Sequence, residues 1–174
     1  MRTGFLSRLD HFARGLLPLI CTLSVVLLSA LPLRLPMAAM VAPSLTLIAV
    51  YYWTIYRPDL LNGFFILLLG LLQDLLTGAP PGVTSLVLLL AYLVVVSQRR
   101  FFHGKSFSVV WWGFMLVAIG AAVLAWLCNF ILSGRWIDPT GSAIGLLLTI
   151  LLYPPLAALL SQAHKLVPAR DADA

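Results

Sequence analysis

PSLTLIAVYYWTIYRPDLLNGFFILLLGLLQDLLTGAPPG, running from Pro43 to Gly82, decides the fold. Two apolar runs flank a charged turn, Tyr56-Arg57-Pro58-Asp59, and the second run carries Gln73 and Asp74 in an otherwise hydrocarbon segment. A carboxylate on an apolar helix of spanning length is expensive and needs a reason. At about 100° per residue, Gly63, Gly70, Asp74 and Thr77 fall close together on one helix face, with Leu67 as the bulky exception. Small residues sharing a stripe with a carboxylate predict that this face points at protein and not at lipid.

The rest of the chain has the same character. Of its 174 residues 61% are hydrophobic and only 10% charged, with a mean hydropathy of +1.03. A soluble domain of this size needs far more polar surface. The apolar runs are helix-length and lack the alternation of barrel strands, so the sequence reads as an all-α integral membrane protein. Spans are expected at about 16–33, 36–56, 60–77, 80–97, 107–132 and 140–164, a six-transmembrane-helix bundle in a single polytopic domain over residues 1–174.

Outside the central stretch, the polar and basic first fifteen residues place Phe5, Leu9 and Phe12 on one side, as in a short amphipathic surface helix. The basic front of the first run and its Ser29-Ala30 end resemble a cleavable signal peptide, but the further runs favour a retained span. Pro43 predicts a kink in the second run, which ends in Tyr51, Tyr52, Trp53 and Tyr56, an aromatic cluster suited to a water–lipid boundary. Pro80 or Pro81 is expected to open the fourth helix. The longest polar loop runs from Gln98 to Ser106 and reads as an anchor to anionic lipid or a dock for a cytoplasmic subunit. Ala118, Ala121, Ala122 and Ala125 in the fifth run, and Gly141 with Gly145 in the sixth, supply small residues for close helix contact. Pro154-Pro155 predicts a bend in the sixth.

Six spans put both termini on one side. Nine of the eleven Lys and Arg residues fall on that side, with only Arg34 and Arg135 opposite, so the termini and the Arg99–Lys105 loop are expected in the cytoplasm. Asp74 then lies towards the outer end of the third helix, at a depth similar to Asn129 in the fifth, with Arg135 just beyond. Three readings of Asp74 stand: a carboxylate snorkelling to the outer interface, a buried pair with Asn129 or Arg135, and a proton or ion relay. Gln73, about 100° round the helix, faces a neighbouring helix.

Several function classes are excluded. No Ser or Cys has an adjacent base, no span carries paired carboxylates, and no Gly-rich phosphate loop precedes a helix, so no enzyme is expected. Cys21 and Cys128 lie in apolar runs without metal spacing, and His11, His103 and His164 are scattered outside the spans, so neither metal nor cofactor is expected. The net charge of +5 sits at segment ends and follows topology, not nucleic acid.

Pro43, Tyr52-Trp53, Pro58, Gly70, Asp74-Leu75, Gly78 and Gly82 together resemble the pattern of the rod shape-determining MreD family. The stretch covers about a quarter of the chain; the Pro80-Pro81 pair and the basic loop at Arg99 stand outside the pattern. The resemblance implies a non-catalytic inner-membrane component of the bacterial cell-elongation machinery. It implies an MreC-like bitopic periplasmic partner, with MreB, RodA and a penicillin-binding transpeptidase alongside. It also implies a fold similar to the substrate-binding subunits of energy-coupling-factor transporters. Pro43, Trp53, Arg57, Pro58, Gly63, Gly70, Asp74, Gly78, Gly82 and Asn129 are the candidate structural and interaction residues. A homodimer is left open. The competing class is a transport subunit that binds a vitamin-like molecule. Copurification with a bitopic protein, against a stoichiometric small molecule, separates the two.

Overall fold

The computed structural model describes residues 21–27, 44–56, 61–102 and 105–165, and all of its regular structure is helical. We number the helices α1 (residues 21–27), α2 (Leu45–Tyr56), α3 (Gly63–Thr77), α4 (Val83–Phe102), α5 (Phe107–Ser133) and α6 (Pro139–Lys165). The expected amphipathic segment at residues 1–15, Pro43, the Arg57-Pro58 turn and the polar tail lie outside the described residues.

Two of the six, α5 and α6, are long and apolar enough to cross a membrane. The others are apolar but shorter over their described residues, at 12 for α2 and 15 for α3. The fourth run differs from expectation at both ends. Its helix opens at Val83, after Pro80 and Pro81 have made the turn, and continues through the basic stretch to Phe102, well past Ser97. The polar loop expected from Gln98 is correspondingly shorter, because nothing in Gln98-Arg99-Arg100-Phe101-Phe102 breaks a helix.

Helices α2, α4, α5 and α6 pack side to side in a closed ring, α2 touching α4 and α6, and α5 touching α4 and α6. Helix α3 packs on α4 from outside the ring. Short α2 is deeply buried within it: ten of its twelve residues are buried, from Thr46 to Ile55. Tyr51, Tyr52 and Trp53 are therefore interior, Trp53 at 0% exposed, and not the interfacial belt their clustering suggested. Only Tyr56, at the helix end, is exposed. The reason is positional: α2 packs against α4 and α6 and meets α5 through Tyr51, which leaves little lipid-facing side on which to place aromatics.

Tyr51 organises the better-filled end. Its hydroxyl donates to Val110 O at 2.9 Å, tying α2 to α5. Its ring meets Phe114 edge-on at 5.1 Å and Tyr153 edge-on at 5.8 Å, and Phe114 stacks on Tyr153 at 4.3 Å. Such pairs add roughly 0.5–1.5 kcal/mol each beyond area burial. That matters in a bilayer, where lipid tails remove most of the hydrophobic drive between helices.

The start of α6 is closed by its own sequence. Pro139 takes the first helical position, where its missing N–H costs nothing. Asp138 accepts from the Thr140 hydroxyl at 2.6 Å and the Thr140 amide at 3.0 Å, and these bonds hold its carboxyl below the usual carboxylate range. Further on, α6 runs through Pro154 and Pro155 without ending. Pro154 has no N–H to give the carbonyl four residues back, at Ile150. The Trp111 indole of α5 fills the gap, donating to Ile150 O at 3.4 Å.

That bond generates a prediction. Trp111→Phe keeps an aromatic ring and removes the donor, leaving a part-buried carbonyl bare at a cost of about 1–3 kcal/mol. Thermal unfolding in detergent should show a lower Tm. In a Pro154→Ala background, where the backbone N–H returns, the same change should cost much less. Equal losses in both backgrounds would show that the indole does not serve Ile150.

Candidate functional site

Asp74 sits in the last turn of α3 and is 0% exposed. A helix end leaves backbone groups unpaired, and in an apolar setting each must find a partner. Asp74 supplies most of them. Its backbone oxygen accepts the N–H of Gly78, whose left-handed φ of 67° ends α3, and the N–H of Ala79 at 3.1 Å. This is the reverse turn that favours glycine just past a helix end. Its carboxylate accepts the N–H of Gly82 at 2.7 Å and of Thr84 at 3.2 Å, at the start of α4. A carboxylate there also meets the positive end of the α4 dipole. Pro80 and Pro81 bring no N–H, and Val83 N–H goes to Pro80 O. Of the five N–H groups from Gly78 to Thr84, Asp74 takes four.

The carboxylate is therefore neither snorkelling nor paired with Asn129 or Arg135. Asn129 donates to Ala125 O of its own helix at 2.8 Å, and Arg135 is exposed. Gly82, at φ 99°, adopts a backbone conformation that other L residues rarely reach, and this aims its N–H at Asp74.

The stripe that carries Asp74 lies against α4. A Cβ at Gly70 would collide with Ser85 Cα, and would meet Ser85 N at 2.7 Å and Oγ at 2.8 Å. Ser85 Oγ donates to Leu67 O at 3.2 Å across the same crossing, which occupies the one bulky position on the stripe through its backbone. At Gly63 a Cβ would meet only Leu89 and Tyr92 side chains, at 3.5 and 3.7 Å, an ordinary contact.

The Asp74 end of the ring is hollow. A cavity of about 280 Å³ lies among Ser44, Gln73, Thr84, Ala122, Gly145 and Thr149, with Ala118, Ala121 and Ala125 also on its wall. Small residues expected to bring helices together thus also leave a void. Thr149 ties it shut on one side, its hydroxyl accepting from Ser44 N at 2.9 Å and donating to Gly145 O at 2.7 Å.

Of the residues expected to matter, Gly70, Asp74, Gly78 and Gly82 come together in this one turn and crossing. Gly63 lies further along the same stripe. Trp53 is in the core and Asn129 in the C-terminal half of α5, apart from the turn. Ser85, Thr84 and Thr149 were not singled out by the sequence; a hydroxyl in an apolar run is too common a signal. Among the described residues no group of three His, Cys, Asp or Glu side chains is placed to hold a metal.

Two substitution series test this geometry. Gly70→Ala should destabilise by roughly 1–3 kcal/mol through overpacking, while Gly63→Ala should be close to neutral. Asp74→Asn keeps one acceptor and should be milder than Asp74→Leu, which leaves two N–H groups bare at about 1–3 kcal/mol each. Unfolding of the detergent-solubilised chain by dodecyl sulfate titration reads both series. Equal effects of Gly70→Ala and Gly63→Ala would contradict the close crossing.

The comparisons with known proteins bear on what this turn belongs to. The chain is 28% identical over 114 residues to the uncharacterized protein RP566 of Rickettsia prowazekii (strain Madrid E), an alignment covering 65% of this chain and 58% of that protein. The matched part thus spans little more than half of the relative. No solved structure matches, so the likeness to energy-coupling-factor subunits gains no support. A family profile described as rod shape-determining protein MreD matches residues 11–163, nearly the whole chain and all of α1 to α5. The chain belongs to the family of the rod shape-determining protein MreD.

Proposed function

We propose that the chain is a non-catalytic scaffold of the bacterial inner membrane, a single polytopic domain of six spans with cytoplasmic termini. In this reading it holds the membrane helix of an MreC-like single-span periplasmic protein. MreB, RodA and a penicillin-binding transpeptidase act in the same assembly to build peptidoglycan along the cell's length. The family match across residues 11–163 carries the proposal. The geometry agrees with it. Of the 27 residues of α5 only Val110, Phe114, Ala118 and Ala121 are buried, so Leu116, Val123, Leu127 and Ile131 form an unclaimed apolar ridge. Such a ridge suits lipid or a partner's helix. The basic residues concentrated at the chain ends and near Arg99 support the orientation.

Depletion in a rod-shaped host should round the cells while wall-synthesis enzymes persist but lose their placement. A tag on the C-terminus should recover a bitopic partner. Cells that keep their shape, together with a purified chain carrying a vitamin-like ligand, would replace this reading with the transport-subunit one. Orientation has its own check. With Cys21 and Cys128 replaced by Ala, single cysteines at Ala79 and Ser133 should react in intact cells with a membrane-impermeant thiol reagent. One at Ser106 should not, and its labelling would reverse the topology.

A further inference from the structure

An apolar groove runs along the bundle where α4 lies against α5. It holds about 420 Å³, and every described residue on its wall is Val, Leu, Ala or Gly. Its floor is made of small residues, the buried Ala91 and Ala121 beside Gly120, where an added Cβ would meet nothing within 4 Å. Leu90 and Val94 of α4 and Leu116 of α5 are exposed along its edges. An unfilled slot of this kind forfeits dispersion contacts along its whole length, so something apolar belongs in it.

The charges at one end narrow what that is. Arg99 and Arg100 fall in the last turn of α4, and the exposed Lys105 stands just before α5. The sequence has no acidic residue between Asp74 and Asp138, so this helix pair brings three cations and no carboxylate of its own. At 1.5 Å per residue, the groove begins about 7 Å along the axis from Arg99, at Val94, and continues about 10 Å further, to Val87. A headgroup layer is about 5–8 Å deep, and the hydrocarbon of one leaflet about 15 Å. With the cations at phosphate level, the groove therefore occupies the hydrocarbon of a single leaflet. Trp112, 65% exposed and one turn from Leu116, stands between the two levels, where an interfacial aromatic belongs. A charge-binding end and an apolar slot beyond it match a phospholipid, which carries its anion and its chain in that order. A partner's helix, about 10–12 Å across, has no anion built in at this level.

We propose that the α4–α5 groove binds an anionic phospholipid, with one acyl chain along Ala91, Gly120 and Ala121 and the phosphate against Arg99, Arg100 and Lys105. Basic pockets between membrane helices hold acidic headgroups in this way. The site requires only that α4 and α5 stand in a bilayer, and it is independent of the partner and the orientation proposed above.

Tryptophan quenching of the full chain in nanodiscs, one copy per disc, tests the assignment. A minor share of the lipid is brominated in the upper half of its chains, either as phosphatidylglycerol or as phosphatidylcholine. The brominated mole fraction and the total phosphatidylglycerol are held constant. Brominated phosphatidylglycerol should quench roughly fivefold more strongly, the selectivity that one surface cation confers. Trp112→Phe should remove the difference. Gly120→Leu places its side chain in open space, fills the groove and should bring the two lipids to parity. Combined Arg99→Gln, Arg100→Gln and Lys105→Gln, at the polar end and away from the apolar packing, should do the same. Equal quenching by both lipids in the unaltered chain would overturn the proposal. A preference that survives Gly120→Leu would mean that the loop gathers lipid without the groove, and one that survives loss of the three charges would remove the phosphate site. Quenching by neither lipid would mean that protein covers the groove, and would overturn it too.

Discussion

A helix that ends among apolar groups must have its terminal amides and carbonyls paired, and in this chain one residue does that for two helices at once. The backbone oxygen of Asp74 closes α3 and its carboxylate closes α4. Everything at this end follows. The two helices leave the turn at a fixed angle, which brings Gly70 onto the Ser85 backbone. The next residue along, Gln73, is thereby carried round to the cavity. The two prolines contribute by what they lack, since each removes an amide that would otherwise need an acceptor.

Elsewhere the helices are fastened by single hydrogen bonds that cross between elements and end on backbone groups. Tyr51 joins α2 to α5, Thr149 joins α6 to the start of α2, Trp111 joins α5 to α6, and Ser85 joins α4 to α3. In water such bonds compete with solvent and contribute little. In a bilayer, packing and bonds of this kind carry association. The ring is accordingly uneven. Its Tyr51 end is filled by stacked aromatics, while its Asp74 end is walled by alanine, glycine and hydroxyls and stays open.

Much of this could be read from the residues in order. The helical class follows from run length and composition, and the stripe through Gly63, Gly70 and Asp74 follows from spacing alone. The partner of Asp74 could not be read. Its donors are backbone amides eight and ten residues on, which have no side-chain signature, and the search for a charged or amide partner led to Asn129 and Arg135. Gly78 and Gly82 flanking two prolines were the available hint, because they mark a turn short of donors. The aromatic cluster misled for a different reason. Tyrosine and tryptophan suit both an interface and a tight interior, and only the neighbours of α2 decide between them. The run of alanines in α5 shows the same ambiguity, since a small residue permits close contact but equally permits a gap.

The Trp111 bond to Ile150 also bears on how the chain enters a membrane. On its own, α6 carries a carbonyl that Pro154 has stripped of its helical donor, and a single helix in hydrocarbon has no other source of one. Helix α5 brings that donor on the preceding segment, four residues after its start. The connection between them, 134–138, is short and is fastened by Trp126, whose indole donates to Ile137 O at 3.1 Å. The last two helices thus form a hairpin in which the first arm supplies the donor that Ile150 O of the second lacks. Lateral release from the insertion machinery is least costly when both leave as a pair.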